Sequence, residues 1–313
     1  MKVIQVQAPG LFTTVQDLGR EGFGPLGVSP SGAADPISLR LGNRLVGNAE
    51  GAAGLELTLL GGTFLFPKGA VVALAGSDFG ATLDDLPVEP WTSVEARSGQ
   101  ALRLGPTRSG ARCYLCVQGG IIVKPFLASA STHILSGLGG LDGRPLRKGD
   151  ILNVGSGMLS FCKKTIASQA LQRLSPRKVL RVTPGPQHDW FPESSQRLFH
   201  ASAYRVSEES NRMGLRLEGP PIPTPSGGQM ISEGVSLGAI QIPNGGLPII
   251  LFVEQQTTGG YPKIGNVISA DLSSVGQLRP RDEVRFERVT WEKARSVLKE
   301  QEELLASKEL IRE

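Results

Sequence analysis

Leu278-Arg-Pro-Arg-Asp-Glu-Val-Arg-Phe286 sets a turn closed by an acid in front of a strand in which Val284 and Phe286 alternate with charged residues. Period-two alternation places one set of side chains on a buried face and the other in water. The arrangement recurs at Leu146-Arg-Lys-Gly-Asp-Ile-Leu-Asn-Val154. Two related β-domains, each closed by such a strand, would account for the echo. The plain alternative is that a turn followed by a strand is a common pattern.

Outward from these two stretches, short apolar runs recur between glycine-containing turns. Strands are expected at 3–8, in two pieces over 54–66 hinged at Gly61-Gly62, and at 70–75, 101–104, 112–117 and 151–154. The same style returns at 179–183, 203–206, 238–242, 248–253 and 283–289. Spacing of this kind indicates barrels or sandwiches. Helices are few. Asp35 caps an expected helix to Val46, with Pro36 in its first turn and Gly47-Asn48 at its end. A second helix is expected from Thr290 to about Leu305, with the last residues fraying. The polar stretch 167–178 reads as a domain boundary.

The chain has 313 residues, 40% hydrophobic and 20% charged, with 40 glycines and 22 prolines. That suits a globular, β-rich chain of about two domains. A net charge of +4 (33 minus 29) comes without a basic block, and aromatics are scarce, so nucleic acid is not an expected partner. No apolar run reaches the ~20 residues of a membrane helix. The start, Met-Lys-Val-Ile-Gln-Val, lacks a signal-peptide core. A cytoplasmic location is expected, with no membrane partner.

Few familiar devices of chemistry appear. Cys113-Tyr-Leu-Cys116 is spelled C-x-x-C, but in a strand residues three apart face opposite ways, so two structural cysteines are expected. His133, His188 and His200 lack metal-ligand spacing, and no metal is expected. His188-Asp189, after Pro184-Gly-Pro-Gln187, reads either as pocket lining or as an exposed loop. There is no P-loop, no G-x-S-x-G elbow and no Met-Lys-Met biotin attachment site. The densest polar segment is Gln255-Gln-Thr-Thr-Gly-Gly-Tyr-Pro-Lys263. Its glycines let a backbone approach a ligand, and Lys263 is placed to stabilise an oxyanion; the competing reading is a solvated hairpin loop. Gln16, Asp17 and Arg20 form a second cluster, alternatively a surface ion pair. Arg212, in Asn211-Arg-Met-Gly214, is an anion clamp or a plain surface arginine.

Three stretches together carry a resemblance: Pro9-Gly-Leu-Phe-Thr-Thr-Val-Gln-Asp-Leu-Gly-Arg20, Ser210-Asn-Arg-Met-Gly214, and Gly238-Ala-Ile-Gln-Ile-Pro243 with Gln256-Thr-Thr-Gly-Gly-Tyr-Pro-Lys263. They resemble the KipA family, also known as allophanate hydrolase subunit 2 or as the C subunit of 5-oxoprolinase. The resemblance implies a mainly β fold of two cyclophilin-like β-barrel domains with a few short helices. These domains are expected at residues 1–175 and 176–289, followed by a C-terminal helix and tail at 290–313. It implies two partners, a KipI-like B subunit plus a third, A-type one, that together with this chain open the cyclic amide of 5-oxoproline to glutamate using ATP. The chain is expected to be inactive alone. Two alternatives stand beside this: carboxyl transfer to urea or another amide from carboxybiotin on a separate carrier, and a non-enzymatic antagonist of a KipI-like kinase inhibitor.

Residue chemistry together with the resemblance gives Lys263 and Tyr261 catalytic roles. It gives substrate contacts to Gln256, Thr257, Thr258, Gly259, Gly260, Arg212 and Gln241. Gln16, Asp17 and Arg20 are expected to shape the site or face a partner. One departure is visible: Glu254-Gln255-Gln256 carries Gln255 where the family pattern has arginine, which removes a fixed positive fork.

Overall fold

The computed structural model describes residues 2–157, 161–224 and 230–313. The fold is mainly β and divides into two units. One comprises Met1–Arg20, Ser31–Leu174 and Ser307–Glu313; the other comprises Glu21–Pro30 and Ser175–Ala306. Among the described residues no helix is long and apolar enough to cross a membrane.

In the first unit a seven-stranded and a five-stranded sheet enclose one core. The strand Arg112–Val117 lies inside the smaller sheet, between Gly54–Thr58 and Ala70–Gly76, and is buried along its whole length. Cys113, Leu115 and Val117 point into the core. Tyr114 and Cys116 face the helix Pro36–Leu45: the Asp35 amide donates to Tyr114 Oη (2.7 Å), and Cys116 Sγ lies 3.8 Å from the Leu39 carbonyl. Both cysteines are free, and burial pushes both thiols far above their ordinary range. The cap at Asp35 forms as expected, its carboxylate accepting from the Ser38 amide (3.0 Å).

The second unit is a closed barrel of seven strands. Val179–Pro184 pairs antiparallel with Lys263–Val267 on one side and parallel with Glu283–Arg288 on the other. The ring continues through Ala239–Gln241, Ile249–Leu251, Gly214–Glu218 and Tyr204–Val206. Alternation decides the inward face: Val284 and Phe286 are buried while Glu283, Arg285 and Glu287 are exposed. Phe286 stacks on Phe199, with centroids 4.5 Å apart, and Phe199 belongs to the helix Glu193–Ala201. Closure removes free sheet edges.

Three local readings change. Residues 167–178 are not all linker: Ser168–Arg173 is helical, and Ala170 is buried. The chain end does not fray. Ile311–Arg312 pairs with Thr165–Ile166, and Leu310 is buried, so an apolar anchor and a backbone ladder hold it. Lys263–Val267, to which the sequence assigns no strand, is one because neighbours occupy both of its edges.

The echo seen in the sequence is matched in geometry. Arg147 N donates to Asp150 Oδ2 (2.7 Å), and Arg279 N to Asp282 Oδ2 (2.9 Å). Each aspartate's carbonyl accepts from a valine amide at 2.9 Å, Val6 in one unit and Val206 in the other. The residue before each aspartate has positive φ: Gly149 at +93° and Arg281 at +73°. The same turn therefore leads into a strand in each unit, once with glycine at the left-handed position and once with arginine. A Cβ at Gly149 meets nothing within 4 Å among the described residues, so the cost of adding one there is confined to the backbone. Gly149→Ala is expected to cost about 1 kcal/mol. Arg281→Gly is expected to cost nothing or to gain slightly, although it removes the exposed pair with Glu208 (2.7 Å). Denaturant midpoints of the two variants check both.

Candidate functional site

The polar residues singled out around Lys263 come together on the barrel of the second unit. Lys263 opens a barrel strand, and its cross-strand partner is Gln241. Directly paired residues put their side chains on the same face. Both side chains are buried, Lys263 with 2% and Gln241 with 1% of its surface exposed. Gln256 Nε2 donates to Gln241 Oε1 (3.4 Å), which turns the Gln241 amide so that Nε2 is left without a hydrogen-bond partner among the described residues. A Cβ on Gly259 would come within 2.5 Å of that nitrogen. Glycine thus keeps open the space in front of the unused donor.

Burying an ammonium is costly unless a countercharge reaches it. Glu233 supplies it, with Oε1 2.6 Å from Lys263 Nζ. No local pattern points to Glu233. It arrives on the short strand Glu233–Gly234, paired with Thr258–Gly259. Gln187 ties the arrangement together. Its Nε2 donates to Glu233 Oε1 (2.9 Å), and its Oε1 accepts from the Lys263 amide (3.2 Å). Gly185 is what lets this turn press against the Lys263 strand, since a Cβ there would stand 2.3 Å from the Lys263 carbonyl oxygen. Pro184-Gly-Pro-Gln187, noted for its neighbour His188, was the one available signal. His188 itself is buried, not in an exposed loop. Its Nδ1 faces the Ile264 carbonyl at 2.9 Å, a group that can only accept, so Nδ1 carries the proton.

The other expected residues fall into place around this centre. Gly260 accepts from the Met230 amide (3.1 Å), and Thr257 accepts from Val235 (3.1 Å). Thr258 and Tyr261 are exposed beside the strand carrying Lys263. Gln255 is buried, with Nε2 donating to the Val235 carbonyl (3.3 Å) and Oε1 lacking a partner among the described residues. Arg212 is neither at the surface nor open to an anion as a lone cation: it forms a buried ion pair with Glu254 at 2.5 Å.

Gln16, Asp17 and Arg20 belong to the first unit. There they fasten the segment 126–132. Ser129 Oγ and the Ala130 amide donate to Asp17 at 2.7 and 2.6 Å, and Gln16 Nε2 donates to the Thr132 carbonyl (3.2 Å). Arg20 donates to the Ser131 carbonyl and lies over the Phe126 ring. It is 2% exposed, which replaces the surface-pair reading.

Residues 26–288 match the family described as carboxyltransferase domain, subdomain A and B. The C subunit of 5-oxoprolinase from Escherichia coli (strain K12) is 37% identical over 300 residues, 96% of either chain. The chain belongs to the carboxyltransferase domain family. Within it, the C subunit of Haemophilus influenzae 5-oxoprolinase is 36% identical over 289 residues, covering 92% of both chains. The crystal structure of K. lactis urea amidolyase matches with a TM-score of 0.90 and 33% identity, over 97% of this chain and 20% of that one. The family is thus shared by free-standing chains of this length and by a segment of a much longer protein.

Two outcomes test the site's construction. Gly185→Ala is expected to lower stability by about 1–3 kcal/mol, because backbone and not a flexible side chain blocks the new methyl group. The ammonium of Lys263, and after it the amide of Gln187, hold the Glu233 carboxyl below the usual carboxylate range. A depressed folded value means that the carboxylate's contribution is present above the unfolded pKa of about 4.3 and is lost as pH falls through the folded value. Thermal melts taken from pH 7 into the acid range should therefore fall more steeply for the native protein than for Glu233→Gln.

Proposed function

We propose that this chain is the C subunit of an ATP-dependent 5-oxoprolinase, working with a KipI-like B subunit plus a third, A-type one. The names and near full-length coverage of the two bacterial relatives support that reading. So does the chemistry of the site, which offers a buried ammonium and an unused amide donor side by side on one barrel face. That pair suits the carbonyl of a cyclic amide. Opening the ring adds water to the carbonyl carbon, breaks the C–N bond and leaves a carboxylate and an amine. Negative charge grows on the carbonyl oxygen as the carbon becomes tetrahedral, and Lys263 Nζ and Gln241 Nε2 are the donors for it.

Gln256 is a positioning residue acting through Gln241. Gly259 and Gly260 keep the backbone close, and Thr257, Thr258 and Tyr261 meet the substrate from the loop. Arg212 supports that loop through Glu254. Gln16, Asp17 and Arg20 act indirectly, by shaping the 126–132 segment of the first unit. ATP is assigned to the complex: the ammonium at this site is already balanced by one carboxylate, which fits a carbonyl or a carboxyl group and not a triphosphate.

The family match supports a second reading, carboxyl transfer to an amide from carboxybiotin carried on another protein. Biotin would supply the carboxyl group, and the same Lys263 and Gln241 would bind the accepting amide. The deciding experiment is glutamate release from 5-oxoproline by the chain reconstituted with its two candidate partners, omitting one protein at a time. Activity should vanish when this chain is left out, and Lys263→Met should lower kcat by about 10²–10³-fold. Activity that persists without this chain rejects the first reading. Turnover of another amide that avidin abolishes establishes the second.

A further inference from the structure

The ion pair at Lys263 is built the opposite way round from the two buried arginine pairs of the barrel unit. In Arg181–Asp271 and Arg212–Glu254 the carboxylate is the deeper partner, with 1% and 2% of its side chain exposed. Asp271 is also gripped by aligned donors, the Arg181 amide (2.8 Å) and Nε (3.0 Å). At Lys263 the cation is the buried partner, at 2%, and the carboxylate of Glu233 is 42% exposed. Their contact is close, at 2.6 Å, and no second acceptor reaches the ammonium among the described residues. Glu233 rides on a two-residue strand whose second residue, Gly234, has open space among the described residues where a side chain would be. A permanent counter-ion is better served by burial and aligned hydrogen bonds. This one reaches inward from an exposed segment to a deep, poorly saturated cation.

We propose that Lys263 Nζ and Gln187 Nε2 form a carboxylate-binding site that Glu233 fills as an internal stand-in and vacates when a ligand's carboxylate arrives. The exchange keeps one anion on the buried ammonium throughout, so no uncompensated charge is created inside the barrel. Glu233 needs only to turn outward, where its carboxylate is hydrated. The tethered carboxylate competes at the effective concentration of an intramolecular group, in the millimolar range for short flexible links, and so lowers the apparent affinity for the ligand. The incoming group is either the substrate's own carboxylate or a carboxyl group in transit to it; the chemistry recognised is the same. The inference rests on Lys263 being the residue that meets the ligand, but it requires no turnover.

The test is binding to the single chain by calorimetry and thermal shift, with the native protein, Glu233→Ala, the near-isosteric Glu233→Gln, and each variant combined with Lys263→Met. Probes are acetate, 5-oxoproline, bicarbonate and the neutral lactam 2-pyrrolidinone. Removing the internal carboxylate is expected to tighten carboxylate binding by about tenfold or more. It should leave 2-pyrrolidinone unchanged. Acetate should restore the melting temperature lost in Glu233→Ala, and Lys263→Met should abolish both effects. Tightening for 5-oxoproline without bicarbonate identifies the substrate's carboxylate as the occupant; the reverse identifies a carboxyl group in transit. Carboxylate affinity that is unchanged or weaker in both Glu233 variants overturns the proposal. A chain that shows the gain but supports no 5-oxoproline cleavage keeps this site and rejects the assigned reaction.

Discussion

An ammonium inside a protein dictates what surrounds it, because the cost of leaving it without an anion exceeds the worth of most single contacts in a fold. Lys263 is that group here. The barrel strand that carries it is paired on both edges, and the lysine side chain is buried. The countercharge therefore has to come to it, and the short strand at Glu233 brings it. Gln187 then bonds to both the carboxylate and the lysine backbone, and it can do so only because Gly185 admits close contact between backbones. A whole side of the site follows from one buried positive charge. Gln241, as the cross-strand partner, supplies a neutral donor next to it, and Gln256 decides which end of that amide is available.

The two units lead into a strand through the same turn. An aspartate accepts from the amide three residues before it and offers its own carbonyl to a valine in the neighbouring strand. The left-handed position before the aspartate is glycine in one unit and arginine in the other. Glycine is the conformationally easy choice. Arginine there bears a local strain while its side chain reaches Glu208 at the surface. The turn tolerates both because the geometry is over-determined by the aspartate and the strand, not by the residue at the left-handed position.

Much of this was readable from local pattern. The alternation in Glu283–Arg288 and the unbroken apolar run at Arg112–Val117 specify strands because burial on one or both faces leaves a direct mark on composition. The Asp35 cap and the helix from Trp291 are marked by residues acting on their own neighbours. The polar loop ending at Lys263 stood out by density alone. Glu233 and Gln187 did not, since a single glutamate and a single glutamine carry no period and no spacing that links them to a lysine far along the chain. The strand Lys263–Val267 was missed for a related reason: Gly265 and Asn266 are weak strand formers, and pairing on both edges overrides their preference.

What the sequence by itself determined was the class of the fold, the recurring turn before a strand in each half, the structural nature of the strand cysteines, and the family through its long motifs. These depend on residues near one another or on strict alternation, which the order of residues records. Only the tertiary structure decided which side chains share a space. It placed Gln16, Asp17 and Arg20 in a different unit from Lys263, engaged Arg212 with Glu254, and set Glu233 against the buried ammonium. Such pairings come from strand register around a closed barrel, where residues from distant segments meet for a geometric reason that no local pattern encodes.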